Sequence, residues 1–318
     1  MKTKFFIFLL ILLPLIQSCD ESFNPYTDYK QNYGVACILR SDTTLQLATV
    51  SNSYLSDNET VSQPSLLFEK GADVRVWIGD SVYKFKDTVF VTGDNGDSIS
   101  CYFNNAITIL PNQDTQLEIL LSNGKRLKAL SRTPSDISFK NTSEVIIPPV
   151  GKNVVQIFWN SAGQYNYYLP QLKIKCETIE NGVKKVFYRE LPKSLSVSDG
   201  VTYPIYPSSN SSASAVYDLN AINWYLEKFA DSLSNPSIVS IHQTLEFDVL
   251  IFDLEISRYI SVSRSSINNL SIRFDEGEYS NIEGGLGIFG SQIKKKYSRL
   301  KFLEPFISSK GFNFIYDL

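Results

Sequence analysis

The chain has 318 residues, 43% hydrophobic and 20% charged, a balance that permits a sizeable buried core and excludes a disordered scaffold. Thirty basic residues against 33 acidic ones give a net charge of −3, without the basic footprint that a nucleic-acid binder needs. One His and four dispersed Cys are too few for a multi-ligand zinc or iron site, so neither a metal nor another cofactor is expected.

The N-terminus carries the sharpest signal. Met1-Lys2-Thr3-Lys4 is basic, and an apolar run follows from Phe5 to Ile16. That run is shorter than the roughly 20 residues a bilayer span requires and suits the apolar part of a signal peptide. Leu15-Ile16-Gln17-Ser18-Cys19 then resembles a bacterial lipobox. The resemblance implies that residues 1–18 are removed and that Cys19 becomes an acylated N-terminus, palmitate included. Several acyl chains, at about 0.8 kcal/mol per buried CH₂, make a lasting membrane anchor. Asp20 and Glu21 resemble the acidic surface-export signal of Bacteroidota lipoproteins, and residues 19–32 read as a polar tether. Of the remaining Cys37, Cys101 and Cys176, at least one must stay a free thiol, and a Cys37–Cys101 bridge is open.

From Tyr33 onward, short apolar-alternating runs recur between Gly/Asn/Asp turns, of which Ser122-Asn123-Gly124-Lys125 is the clearest hairpin signal. This predicts a mainly β protein with two β-sandwich domains of Ig-like or fibronectin-III-like type. The first spans 33–133, a Pro/Ser/Thr-rich linker 134–149, and the second 150–318. In the second, Leu219, Ile222, Leu226, Phe229 and Leu233 fall at steps of three and four, predicting a helix over 218–234 capped by Asp218. Leu245, Phe247, Val249 and Ile251 alternate with polar residues as a half-buried strand. Asp253 can cap a second helix over Leu254–Ser263, with strand as the alternative.

Several residues bear on function. Val74, Val76 and Ile78 alternate, placing Trp77 on the opposite face, where it could stack on a sugar, anchor a protein interface, or be covered by a neighbouring segment. Tyr165 and Tyr167 are binding candidates of the same kind, which a sandwich core explains equally well. His242 is the sole imidazole, so any Ser-His or Cys-His machinery must use it, and its phase relative to Leu245 and Phe247 reads as a surface position. Lys294-Lys295-Lys296 reads as a solvated charge run. Gly285-Leu286-Gly287-Ile288-Phe289-Gly290 matches a dinucleotide fingerprint literally, but no βαβ context surrounds it. A tight turn and strand packed on the second sandwich, serving fold or docking, is the expected role of Asn281, Glu283, Gly284, Gly285, Gly287 and Gly290.

The longer string Ser280-Asn281-Ile282-Glu283-Gly284-Gly285-Leu286-Gly287 resembles the C-terminal signature of a family of uncharacterised Bacteroidota outer-membrane lipoproteins, catalogued as a domain of unknown function. Asn24-Pro25, Gly71-Ala72-Asp73-Val74, Gly124-Lys125-Arg126-Leu127-Lys128-Ala129 and the strand ending at Trp159 agree with it. Members are commonly encoded beside TonB-dependent receptors. The resemblance implies a non-enzymatic, lipid-anchored, surface-exposed outer-membrane protein, accessory to a TonB-dependent nutrient receptor. A surface adhesin or structural module for glycan or protein is the second reading, and a surface hydrolase the third.

Overall fold

The computed structural model describes residues 32–52, 68–92, 97–161, 163, 166–180, 182–263 and 279–317. In the first half, β1 (Tyr33–Arg40), β2 (Gln46–Asn52), β3 (Asp73–Ile78), β4 (Ser81–Lys84), β5 (Lys86–Thr92), β6 (Asp97–Asn104), β7 (Asp114–Leu120) and β8 (Arg126–Arg132) follow one another. Next come β9 (Ile146–Ile147), β10 (Val154–Phe158), β11 (Tyr168–Glu180), β12 (Val183–Glu190), β13 (Ser194–Ser198), β14 (Val201–Ile205) and β15 (Ser214–Asp218). The chain continues through α1 (Leu219–Asp231), β16 (Val239–His242), β17 (Glu246–Phe252) and α2 (Leu254–Ser263). It closes with β18 (Leu286–Tyr297), β19 (Lys301–Phe302), α3 (Glu304–Ser308) and β20 (Asn313–Ile315). The protein is therefore mainly β.

Ten strands form one sheet in the order β20-β16-β11-β17-β18-β1-β2-β6-β5, with β12 added beside β11. A second sheet runs β4-β3-β7-β8. The join at the middle of the large sheet is parallel: β1 pairs with β18 from Gly34↔Leu286 to Arg40↔Gln292. This places the first and last thirds of the chain side by side. The period-two alternation of Tyr33, Val35, Cys37 and Leu39 turns their side chains inward. Val74, Val76, Leu117, Ile119 and Leu127 of the small sheet join the same buried cluster. The Tyr102 hydroxyl ties the sheets together: it accepts from the Ala72 N–H at 2.9 Å and donates to the Glu69 carbonyl at 2.6 Å.

One apolar cluster runs from Tyr33 to Phe312 and includes Ile137 and Ile147 from the expected linker. The 134–149 stretch is fastened by backbone hydrogen bonds, Lys140 N–H to the Phe158 carbonyl and Glu144 N–H to the Gln156 carbonyl, and Ile146–Ile147 pairs with β19. Its Pro and Ser residues signal turns, but they do not reveal which strands lie beside them.

In α1, the Asp218 side chain accepts the Asn220 N–H at the helix start, and Ile222 and Leu226 are fully buried. The segment after Asp253 is a helix. Its Ile256, Tyr259 and Ile260 cover Leu250, Phe252 and Ile288 on the outer face of the large sheet. β17 is consequently buried on both faces, with every residue from Phe247 to Phe252 out of solvent, and not half-buried as its alternation predicts.

Candidate functional site

Cys19 and Tyr165 lie outside the described residues. Trp77 sits on the face of β3 turned away from the core, partly exposed, between Val82 of β4 and Gln116 of β7. Its indole Nε1 is buried with no hydrogen-bond partner among the described residues, so the surface that Trp77 leaves accessible is carbon. Tyr167 belongs elsewhere. Its N–H donates to Ser257 Oγ at 3.0 Å, and its side chain packs into the apolar cluster beneath α2. The two aromatic residues occupy different parts of the fold and form no joint surface.

The glycine-rich string is a close-packed seam. Gly284, Gly285 and Gly287 lie against β1 and β8 in the first half of the chain, and Gly290 against Asp253 and Ile256 in the second half, where the sequence led us to expect the whole string. Gly287 has φ +126° and passes so near β1 that an added Cβ would meet the Val35 carbonyl oxygen at 1.9 Å. A Cβ on Gly285 would meet the Tyr33 carbonyl oxygen, and one on Gly284 the Arg126 carbonyl oxygen, each at 2.7 Å. Glycine is required where backbones approach this closely. Asn281 works as a side-chain strand: its Oδ1 accepts the Phe289 N–H at 2.9 Å and its Nδ2 donates to the Phe289 carbonyl at 2.7 Å. Ser280 Oγ accepts the Gly287 N–H at 3.0 Å. Glu283 contributes its backbone, bridged both ways to Lys128.

Gly290 borders a buried carboxylate that sequence reasoning assigned only to a helix cap. Asp253 does cap α2, accepting the Ile256 N–H at 2.9 Å. It also accepts Ser131 Oγ–H of β8 at 2.6 Å and Ser291 Oγ–H of β18 at 2.9 Å, with the Ser291 N–H as a further donor. A Cβ on Gly290 would stand 2.9 Å from both carboxylate oxygens. Burial raises the Asp253 pKa to about 6, and these hydrogen bonds hold it from rising further. Three segments far apart in sequence converge here, and no local motif announces the convergence.

The remaining candidates are engaged in structure. His242 is 7% exposed, not at the surface as its phase suggests. Its Nδ1 lies 2.8 Å from Asp317 and its Nε2 3.3 Å from Glu177, because β20 adds beside β16 and carries Asp317 in. Lys184 foremost, then His242, holds the Glu177 carboxyl below the usual range. Lys294, Lys295 and Lys296 keep much of the solvent exposure expected of a charge run, and each is ion-paired, with Asp248, Asp136 and Glu246 in turn. Cys37, Cys101 and Cys176 are free and buried, and burial pushes the Cys37 and Cys176 thiols up to about 12. Among the described residues no group of His, Cys, Asp and Glu could hold a metal ion, and no helix is long and apolar enough to cross a membrane. The chain matches no protein-family model and no curated protein.

Proposed function

We propose that this protein is lipid-anchored at the outer membrane through Cys19, displayed at the surface, and acts without enzymatic chemistry as an accessory to a TonB-dependent nutrient receptor. The observation that carries the reading is the N-terminal order: basic Lys2 and Lys4, the apolar run to Ile16, then Leu15-Ile16-Gln17-Ser18-Cys19 with Asp20-Glu21 behind it. That order supplies a cleavable signal too short to remain as a span and a thiol for acylation at the cut. The engagement of His242 with Asp317 and Glu177, and the burial of the three described thiols, supports a role without nucleophilic catalysis.

Cells fed an alkyne fatty acid should incorporate label into this protein, and Cys19→Ala should abolish it. Equal labelling of the variant overturns the anchor. A mild-detergent pull-down from native membranes should recover a porin-sized receptor with the wild-type chain. Recovery of labelled protein without any such partner keeps the anchor and overturns the accessory role.

A further inference from the structure

Among the described residues, the outer face of the small sheet carries one ordered row of side chains, half-buried at its middle and exposed at its two ends. In register across four strands stand Val82, Trp77, Gln116 and Leu130. Val82 is 49% and Leu130 69% exposed. Strands lie roughly 4.8 Å apart, so the row spans about 14 Å. The row is one side chain wide. The next row across the same strands is Lys84, Arg75, Glu118 and Lys128, and Asp114 pairs with Arg132 on the other side at 2.7 Å.

Three carboxylates on this face meet five cations. Asp73 holds Arg75 at 2.5 Å and Lys84 at 3.3 Å, and Glu118 holds Arg126 at 3.3 Å. A modest positive surplus remains on a protein whose overall charge is −3.

We propose that this face binds an acidic polysaccharide chain. Trp77 offers carbon surface to the apolar face of a sugar ring, and Gln116 supplies an amide for its hydroxyls. Arg75, Lys84 and Lys128 meet sparse carboxylates or sulfates. The narrow apolar row bounded by polar rows matches a sugar chain, which has apolar ring faces and polar edges. A lipid surface would need a broader apolar area. Single-stranded nucleic acid would need several aromatic residues and dense unpaired cations, whereas the described residues of this row include one aromatic and most cations beside it are already paired.

The test is direct binding of the detergent-solubilised full chain to fragments of alginate, polygalacturonate, hyaluronan and heparin. Dextran, xylan, an oligothymidylate and phosphatidylglycerol vesicles serve as comparators. At least one acidic glycan should bind, more tightly than the neutral ones and less tightly as salt rises. Trp77→Ala and Arg75→Gln should each weaken it about tenfold or more, while Trp77→Tyr should stay within about threefold. Because Trp77→Ala could also unsettle the sheet, melting temperatures accompany each variant, and Arg75→Gln changes an exposed side chain whose partner Asp73 keeps Lys84. Absence of binding to every acidic glycan overturns the proposal, as does binding indifferent to Arg75→Gln. Tighter, Trp77-dependent binding of the oligothymidylate or the vesicles reassigns the face to that class and overturns it equally.

Discussion

Asp253 is where burial and hydrogen bonding compete most sharply. Its folded pKa of about 6 stands above the 3.8 of an ordinary aspartate. The folded state therefore binds a proton more tightly than the unfolded chain. Stability from this group is full below about pH 4 and is lost as pH rises through about 6, an effect on the order of 2–3 kcal/mol. Asp253→Asn removes the titration but retains an oxygen for the α2 cap. The difference in unfolding free energy between wild type and Asp253→Asn should shift against wild type between pH 4 and 6, as read by urea denaturation. A pH-independent difference would show that Asp253 does not titrate in that window. Asp317 shifts the other way: although burial opposes it, His242 and the Thr244 N–H hold its carboxyl below the usual range, so its contribution fades only in acid.

At the scale of the element, the parallel pair of β1 and β18 depends on Gly287. A side chain there meets the Val35 carbonyl oxygen at 1.9 Å and must hold φ +126° as well. Strain and overpacking together should cost about 3–6 kcal/mol in Gly287→Ala. Gly182→Ala is the control, because φ +78° is unfavourable but no atom lies within 4 Å of the added Cβ. It should cost only about 1–2 kcal/mol. Chemical denaturation of both variants checks this, and equal costs would mean that the seam yields freely. The same geometry accounts for the glycines without a phosphate ligand: β18 is a strand whose backbone is occupied by β1, β17 and Asn281.

For the molecule as a whole, the shared core makes the two halves interdependent. Residues 150–318 alone would expose the β1-facing edge of β18 and the inward side chains that Val35, Cys37 and Leu39 cover. The isolated 150–318 fragment should therefore lack a cooperative melting transition, while the full chain melts in one. Near-UV circular dichroism of the fragment and calorimetry of the full chain test this. A fragment with its own sharp transition, matching one of two transitions in the full chain, would show two independently folding units.

How much was legible follows from the range over which each signal acts. Strand alternation, Asn123-Gly124, and the spacing of Leu219, Ile222 and Leu226 are short-range, so the mainly β character and the α1 pattern are readable in the chain itself. The outward phase of Trp77 is equally local. Periodicity states which face of an element is buried and is silent on what buries it. Only the tertiary structure decided that β1 lies beside β18, where Ser41 Oγ accepts the Lys294 N–H across 253 residues. It alone drew Ser131 to Asp253 across 122 residues and closed His242 between two carboxylates. The row through Trp77 likewise exists only once four strands share a register, because cross-strand neighbours are set by pairing, and pairing by the burial of a common core.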